Sequence, residues 1–400
     1  MRNRWLIALS AIGIHICIGS VYAWSVLTKP IMQQMGFSLK ETTWTFSLAI
    51  LFLGLSAGFL GSFVEKCGPK KSGLLSMLFF VIGMFGTAFA LSMHSLVLLY
   101  VFYGIIGGIG LGIGYITPVS TLVKYFPKRR GFATGLAIMG FGFASLIAGP
   151  LMQYLTSHYG LAVNFIILGC AYMIVMSASA MYLKAPENDN TGKNNKSITY
   201  KYKGMTAQEA LKTWQFSALW WVFFINITCG IGLLAVASPM AQDVVKMTPV
   251  AAASMVGIIG LLNGFGRIFW STISDFIGRG YTYALFFLIE IAAFWQLAQV
   301  STVFAFESLV FLIITCYGGG FSCMPAYLSD VFGTKQLSAI HGRILTAWGI
   351  AGVVGPVAVS WLREATNSYS LTLYAFSACF VLNLIIALIL KNKGKKLEFN

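Results

Sequence analysis

Two short stretches, "GSFVEKCGPKK" at residues 61–71 and "STISDFIGR" at residues 271–279, repeat one pattern within a single chain. In each stretch an acidic residue lies three positions before a glycine, and a basic residue follows. Glu65 and Asp275 are 210 residues apart, and so are the two glycines. Repetition at a fixed offset indicates that the chain consists of two halves built on one plan.

Further pairs repeat at nearly the same offset, which extends the duplication over most of the chain. We expect Pro30 and Pro239, one such pair, to end corresponding helices. The pairs are Pro30 and Pro239, Phe126 and Phe332, and Gly149-Pro150 and Gly355-Pro356.

The composition is typical of a membrane protein. Of the 400 residues, 58% are hydrophobic and 10% are charged, whereas soluble domains carry about 25% charged residues. The hydrophobic residues fall in runs of about 20, the length that crosses the hydrocarbon core of a bilayer. Soluble enzymes, DNA-binding proteins and disordered scaffolds are therefore disfavoured.

Twelve such runs predict twelve transmembrane helices, named spans 1 to 12 in chain order. One long polar stretch separates spans 6 and 7. We predict an N-terminal six-helix bundle at residues 1–183, a cytoplasmic linker at 184–213, and a C-terminal six-helix bundle at 214–400 that ends in a short basic cytoplasmic tail. The spans cover residues 5–28, 41–64, 72–92, 96–122, 132–156, 160–183, 214–238, 249–274, 281–300, 306–328, 338–362 and 369–390.

The net charge of +15 has a topological explanation. If the N-terminus is cytoplasmic, 22 of the 27 Lys and Arg residues fall in cytoplasmic segments, four fall on the opposite side, and Arg267 lies inside span 8. Basic loops remain on the cytoplasmic side of membranes. The count predicts a multi-pass membrane protein with both termini in the cytoplasm. Nucleic acid is not needed to explain the charge.

Two parallel six-span halves with an acidic, glycine-containing loop after spans 2 and 8 resemble the major facilitator superfamily. The resemblance implies an all-α integral membrane fold of two pseudo-symmetric bundles, with a substrate site near the membrane midplane. Glu65 departs from the superfamily pattern, which usually has Asp there. Four stretches resemble the oxalate:formate antiporter family, which includes bacterial carriers of oxalate, lactate and pyruvate: "GSVYAWSV", "GYITPVSTLVKYFPKRRGFATGL", "NGFGRIFWSTISDFIGR" and "YGGGFSCMPAYLSDVFGT".

Arg267 lies in the middle of a hydrophobic run, "GIIGLLNGFGRIFWSTIS". Its guanidinium stays charged, and burying it in a membrane costs about 2.5–3.5 kcal/mol on insertion scales. A carboxylate can pair with this planar group through two hydrogen bonds, and the resemblance assigns the arginine to the substrate carboxylate. The alternative is an arginine that extends to the membrane surface or pairs with Asp275. Asn263, one turn earlier, either contacts the same anion or bonds a neighbouring helix.

In the resembling oxalate carrier, span 11 supplies a second cation, a Lys, at the place of Trp348 in "RILTAWGIAGVVGP". Two cations suit a dianion, whereas one suits a monoanion. We therefore predict a monocarboxylate substrate such as lactate, pyruvate or formate, with Trp348 either closing the apolar side of the site or only packing between helices. The resemblance also implies an aromatic cage, although each ring could instead pack against lipid or protein; its members are Tyr22, Tyr115, Tyr317 and Phe321.

Titratable residues inside the spans are candidates for proton coupling. Glu290 lies in the middle of span 9, which is peripheral in the superfamily. His341 opens span 11 and either couples protons or, as we favour, faces the cytoplasm. For His15 in span 1, hydrogen bonding within the core is the simpler interpretation.

The duplicated loop predicts a gate at the cytoplasmic helix ends. We expect ion pairs of Glu65 with Lys70 and Lys71, and of Asp275 with Arg279, that break when the carrier opens. The alternative is that these charges only set the topology. The residues assigned to the gate are Gly61, Glu65, Gly68, Lys70, Lys71, Arg129, Arg130, Asp275, Gly278 and Arg279.

Together these patterns predict a secondary active transporter that moves a small organic monocarboxylate by alternating access, driven by protons or a counter-anion. An oxalate:formate-type antiporter is the alternative. A sensor would need a signalling domain. An ATP-driven pump or an enzyme would need a phosphate-binding loop or a catalytic cluster, and the sequence shows neither. We expect no cofactor and no metal, and a monomer in the lipid bilayer.

Overall fold

The computed structural model describes residues 3–37, 39–186 and 204–393. Two predicted segments fall partly outside these ranges: residues 187–203 of the linker and residues 394–400 of the basic tail. Within the described ranges the regular structure is helical, apart from one isolated bridge between Gly204 and Gly333.

Helices occupy all twelve predicted spans. Two spans contain a change of helix type: span 1 passes through a 3-10 turn and span 4 through a π-helical segment. In chain order the elements are Arg4–Ile18, Gly19–Ala23 and Trp24–Met35 (span 1); Leu39–Ser92 (spans 2 and 3); Leu96–Leu99, Tyr100–Gly107 and Gly108–Tyr125 (span 4); Arg130–Tyr159 (span 5); Leu161–Tyr182 (span 6); Ala207–Leu211; Trp214–Val244 (span 7); Pro249–Ile277 (span 8); Arg279–Leu297 (span 9); Val303–Phe332 (span 10); Leu337–Thr366 (span 11); and Ser370–Lys393 (span 12).

The repeated glycines have the same unusual backbone. Gly68 has φ 76° and ψ 167°, and Gly278 has φ 88° and ψ 150°, a region that only glycine enters readily. Eleven helices of the described part are long and apolar enough to cross a membrane, and one of them, Trp44–Ser92, has 49 residues. A straight helix of that length would measure about 75 Å, so the break at Gly68 divides it into spans 2 and 3. The prediction of twelve spans is confirmed.

The prediction that Pro30 and Pro239 end their spans is wrong. The helix Trp24–Met35 continues past Pro30, and the helix Trp214–Val244 continues through residue 239. A proline removes one backbone hydrogen bond and bends a helix, and a bundle within a membrane compensates by packing the bend against neighbouring helices. The two prolines therefore lie within their helices and do not mark the ends.

The two halves meet chiefly along two helix pairs, spans 2 and 11 and spans 5 and 8. Glycines lie at both contacts. A Cβ atom on Gly54 would lie 2.8 Å from Cα of Gly349, and one on Gly142 would lie 2.6 Å from Cα of Gly264. Helix backbones approach this closely only where no side chain separates them. The close contacts bring spans 1, 4 and 5 next to spans 8, 10 and 11.

The described end of the linker is attached to the second half. A capping box formed by Thr206 and Glu209 begins the short helix Ala207–Leu211, and the hydrogen bond from the Thr206 amide lowers the pKa of the Glu209 carboxyl. The Met205 amide donates to the carbonyl of Phe332 (2.9 Å), and the Ala207 amide donates to Oε1 of Gln336 (2.8 Å). This segment therefore packs on the loop after span 10.

Candidate functional site

Arg267 is 0% exposed, and its guanidinium points from span 8 toward the first half. Nε donates to Oδ1 of Asn263 (3.2 Å), and Nη1 donates across the interface to the carbonyl of Ile138 in span 5 (3.4 Å). Nη2 has no partner in the described part of the chain. Asp275 instead pairs with Arg279, so the alternative of a surface-directed or Asp275-paired arginine does not hold.

The backbone around the arginine is anchored by hydroxyl groups. The carbonyl of Arg267 accepts hydrogen bonds from Oγ of Ser271 (2.5 Å) and Oγ of Ser322 in span 10 (2.6 Å). Asn263 is buried as well, and its side-chain amide oxygen, Oδ1, faces the guanidinium. The structure shows neither of the two predicted roles for Asn263; instead its side chain contacts Arg267 on the same helix and orients the charge.

Aromatic rings from both halves surround Trp348. Its ring centroid lies 4.7 Å from that of Phe321, 5.2 Å from Tyr115, 5.6 Å from Phe141 and 6.3 Å from Tyr22. Tyr317 adjoins this group at 5.2 Å from Phe321. We call these six residues the aromatic box.

The guanidinium lies against two faces of the box. Cζ of Arg267 is 5.1 Å from the ring centroid of Phe321 and 5.6 Å from that of Phe141, within the range of cation–π attraction. Such contacts stabilise a cation without neutralising it. The charge of Arg267 therefore remains available to an anion.

Polar groups of the box converge, and none of them makes a hydrogen bond of good geometry with another described residue. The hydroxyls of Tyr22 and Tyr115 lie beside the guanidinium, and the hydroxyl of Tyr317 lies beside that of Tyr22. Each buried donor without a partner costs about 1–3 kcal/mol, so several in one place indicate a binding site rather than packing. The side-chain atoms concerned, all without a partner in the described ranges, are Tyr22 Oη, Tyr115 Oη, Arg267 Nη2, Tyr317 Oη and Trp348 Nε1.

Two histidines lie next to the box. His341 is 1% exposed, its ring is 5.9 Å from that of Tyr115, and neither of its nitrogens bonds a described residue. The favoured expectation that His341 faces the cytoplasm is therefore wrong, because its ring packs inside the bundle against Tyr115. His15 is also buried, and both of its ring nitrogens face backbone carbonyls.

Glu290 is buried within the second half. It is 1% exposed, its carboxylate bonds no described residue, and it lies near Cys229 of span 7 and Cys316 of span 10. The carbonyl of the next residue, Ile291, accepts a hydrogen bond from Ser377 in span 12 (2.9 Å). Its surroundings belong to spans 7, 9, 10 and 12, as expected for a residue in a peripheral helix.

The predicted pair of Asp275 and Arg279 is present at the end of span 8 (2.5 Å). Arg279 also bonds the hydroxyl of Ser274. Asp275 also bonds the other half: it accepts hydrogen bonds from the amides of Gly131 and Phe132 in span 5, both 2.8 Å long. These amides open span 5, and a carboxylate at a helix N-terminus is stabilised by the helix dipole.

A second acidic residue, Asp330, extends this network. It binds Arg279 (3.0 Å) within the second half and Arg130 (3.1 Å) in the first half. Sequence analysis assigned Arg130 to the gate without identifying Asp330 as its partner. Arg129 is exposed and precedes the first residue of span 5.

Glu65 repeats the arrangement of Asp275 in the other half. Its Oε1 accepts from the amide of Ser338 at the start of span 11 (2.8 Å), and its Oε2 pairs with Lys124 (3.2 Å). The predicted pairs with Lys70 and Lys71 are therefore wrong. The break at Gly68 turns the chain, and both lysines are exposed at the start of span 3.

Gly61 allows spans 2 and 11 to touch near this carboxylate. A Cβ atom there would lie 2.6 Å from Cα of Ala339. Close backbone contact and the two acidic caps together join the halves on the side of the bundle that carries the basic loops. We call this the basic side, which is the predicted cytoplasmic side.

A family model described as Major Facilitator Superfamily matches residues 9–356. The chain belongs to the major facilitator superfamily. It is accordingly a membrane-spanning transporter and not an enzyme. The family match and the helical structure confirm the predicted fold class.

Relatives and solved structures agree with this membership. The oxalate:formate antiporter of Oxalobacter formigenes is 29% identical over 366 residues, covering 89% of this chain and 84% of the relative. Monocarboxylate transporter 14 of Mus musculus is 23% identical over 475 residues, covering 96% and 89%. The crystal structure of the human organic anion transporter MFSD10 superposes with a TM-score of 0.75 at 12% identity, covering 97% and 100%.

In this transporter, the sequence analysis missed one ring of the candidate site, that of Phe141. Phe141 contacts Tyr22 (4.9 Å) and Tyr115 (5.5 Å) as well as the guanidinium. Its sequence signal was a pair of phenylalanines, Phe141 and Phe143, that alternate with glycines in "GFGFASLIAGP". Among the described residues, no group of His, Cys, Asp and Glu side chains could hold a metal ion.

Proposed function

We propose that this transporter carries a small monocarboxylate anion, such as lactate, pyruvate or formate, and binds it at Arg267. The observation that carries the proposal is the buried guanidinium with one nitrogen unbonded, beside tyrosine hydroxyls and an indole N–H that also lack partners. All of these groups can donate hydrogen bonds. A carboxylate, which only accepts, is the complementary ligand.

The charge of the site favours an anion. Arg267 is fully buried and forms no ion pair within the described residues. A buried charge without a counter-ion is costly, and a bound carboxylate supplies that counter-ion with two parallel hydrogen bonds. The tyrosine hydroxyls then bond the remaining lone pairs of the carboxylate.

The shape and charge count favour one carboxylate over two. Trp348 fills the place where the resembling oxalate carrier has its second cation, and rings approach it at 4.7 to 6.3 Å. A short apolar group such as a methyl suits this apolar wall, whereas a second carboxylate would lie against it unpaired. The name of the monocarboxylate transporter relative supports the same class.

An oxalate:formate-type exchange is the second candidate. It is supported by the 29% identity to the antiporter of Oxalobacter formigenes. It requires the box to accept a dianion with a single arginine, unless one of the buried histidines carries a second positive charge.

Transport proceeds by alternating access in this proposal. The halves lock on the basic side through Asp275, Glu65 and Asp330, and release of these contacts opens the site there. The transporter works as a monomer in the cytoplasmic membrane of a bacterium, with both termini in the cytoplasm, and a proton or counter-anion gradient drives it.

Exchange measurements in proteoliposomes test the proposal. Vesicles loaded with unlabelled lactate receive radiolabelled lactate, pyruvate, formate or oxalate outside. We expect uptake of the monocarboxylates, and a loss of at least about tenfold in Arg267→Lys, since hydrogen bonds to a charged group contribute about 1.5–3 kcal/mol. Arg363→Lys is the matched control, because Arg363 forms an exposed ion pair with Asp243.

Two outcomes would contradict this assignment. Undiminished uptake by Arg267→Lys would remove the arginine from the substrate site. Faster uptake of oxalate than of any monocarboxylate would favour the antiporter alternative.

A further inference from the structure

His15 has a hydrogen-bonding environment that suits its protonated form. The ring is 0% exposed in span 1. Nδ1 lies 2.5 Å from the carbonyl oxygen of Ala137, and Nε2 lies 3.2 Å from the carbonyl oxygen of Tyr115. Both neighbours are acceptors, whereas a neutral imidazole has only one N–H. The neutral ring therefore directs one lone pair at an oxygen, and the protonated ring donates to both.

The shorter contact locates the proton of the neutral ring. An N–H at Nδ1 satisfies the carbonyl of Ala137. The lone pair of Nε2 then faces the carbonyl of Tyr115, and this nitrogen is where an additional proton binds. Tyr115 also places its ring and hydroxyl in the aromatic box, so the proton position and the anion position share one residue.

The groups around His15 connect it to the charge of the site. On span 4, the ring of Tyr115 is 5.3 Å away. On span 5, the ring of Phe141 is 6.3 Å from His15 and 5.6 Å from Cζ of Arg267, so one aromatic ring separates the two. Among the described residues, the ionisable groups that act on His15 are Tyr115, Arg267 of span 8 and His341 of span 11.

We propose that His15 is the proton-carrying residue of the transport cycle, and that its proton binds together with the substrate anion. The inference rests on the proposed function. Two positive charges separated by one ring repel each other, and an anion on Arg267 removes that repulsion. Binding of the carboxylate therefore favours the proton on His15, and by reciprocity the proton favours the carboxylate.

The charge balance of the cycle follows from this pairing. The empty carrier holds one positive charge in its centre, that of Arg267. The loaded carrier holds the arginine, the protonated His15 and one carboxylate, and so has the same net charge. The membrane potential then acts equally on both forms, and one proton moves with each monocarboxylate.

Two assays on reconstituted full-length protein separate proton coupling from substrate binding. Exchange of labelled for unlabelled lactate at equal pH needs the site but no net proton movement. Accumulation of lactate driven by an acid exterior needs both, and trapped pyranine reports protons entering the lumen. We expect His15→Gln to require more lactate for half-maximal exchange, to recover exchange at saturating lactate, and to lose both accumulation and the pyranine signal at every concentration.

His158→Gln is the matched control, because this exposed histidine also bonds a backbone carbonyl, that of Tyr154 (2.9 Å). We expect it to behave as wild type. Accumulation that survives in His15→Gln and disappears in His341→Gln would overturn the assignment in favour of His341. Wild-type protein that exchanges none of the acids would overturn the proposed function and this inference with it.

A binding measurement covers the case in which His15→Gln does not fold. Lactate binding to wild-type protein, titrated calorimetrically in buffers of different ionisation enthalpy, reports protons taken up per site. We expect close to one proton at neutral pH, and much less in His15→Asn. Uptake of no proton by wild type, or of the same number by a folded His15→Asn, would overturn the proposal.

Discussion

Glu65 in the first half accepts a hydrogen bond of 2.8 Å from the backbone amide of Ser338 in the second half. Asp275 in the second half accepts bonds of the same length from the opening amides of span 5 in the first half. The duplicated acidic residue thus caps, in each half, the first turn of a helix that belongs to the other half. The repeated acidic residues therefore form a reciprocal lock, in which each half binds the start of a helix of the other half.

This lock predicts the effect of Asp275→Asn. An amide offers one acceptor where the carboxylate serves Gly131, Phe132 and Arg279, so the closed state on the basic side loses stability. Cys323 lies buried beside Ser274 of this network. In protein that keeps Cys323 as its only cysteine, we expect maleimide labelling to accelerate about tenfold, equivalent to about 1.4 kcal/mol.

Asp243→Asn is the control for that experiment. Asp243 forms an exposed ion pair with Arg363, away from the basic side, and its loss should leave the labelling rate unchanged. Equal rates in Asp275→Asn and wild type would show that the carboxylate does not hold the gate closed.

Substrate selection is expected to depend on Trp348. Trp348→Lys places a second cation against the aromatic box and removes the ring that excludes a second carboxylate. Since hydrogen bonds to a charged group contribute about 1.5–3 kcal/mol, we expect oxalate to compete with lactate about tenfold better than in wild type. Trp348→Phe keeps a ring and should retain the preference for lactate. Competition curves for both acids in exchange assays measure the shift.

The contact between spans 5 and 8 predicts a contrast between two glycines. In Gly142→Ala the new methyl would lie 2.6 Å from Cα of Gly264, whereas in Gly149→Ala the nearest atom would be 3.8 Å away on Val26. Overpacking costs about 1–3 kcal/mol, so we expect about a tenfold slower exchange in Gly142→Ala. Gly149→Ala should transport normally. Similar rates in the two variants would argue against close helix contact during transport.

Stability is expected to rise when Glu290 is replaced. The carboxylate is buried and bonds no described residue, and such a group costs about 1–3 kcal/mol. Glu290→Met keeps the length of the side chain without its polar atoms. We expect a higher Tm and unchanged accumulation of lactate. Glu307→Met, at a half-buried position of span 10, should change the Tm little, and lost accumulation in Glu290→Met would assign proton coupling to Glu290.

Much of the site was predictable because its residues break local rules. Arg267 is a charged residue in a hydrophobic run. Because its burial is costly without an anionic partner, the sequence alone indicates a binding role. The tyrosines and Trp348 were identified by resemblance, since one aromatic residue among many has no distinguishing local pattern. Phe141 escaped for the same reason, although it contacts both the guanidinium and Trp348.

Hydropathy, charge distribution and the 210-residue repeat were sufficient for twelve spans and their division into two sets of six, because each depends on neighbours along one chain or on a simple count. The superfamily was identified by the resemblance of the duplicated loop. The hydrogen-bond and ion-pair partners of the charged and titratable residues could not be predicted from such patterns. Glu65 bonds Lys124 and Ser338 rather than the nearby lysines, and His15 meets two carbonyls that are 100 and 122 residues distant. Such contacts exist only after the helices pack, since packing brings together groups that no pattern within a single helix relates.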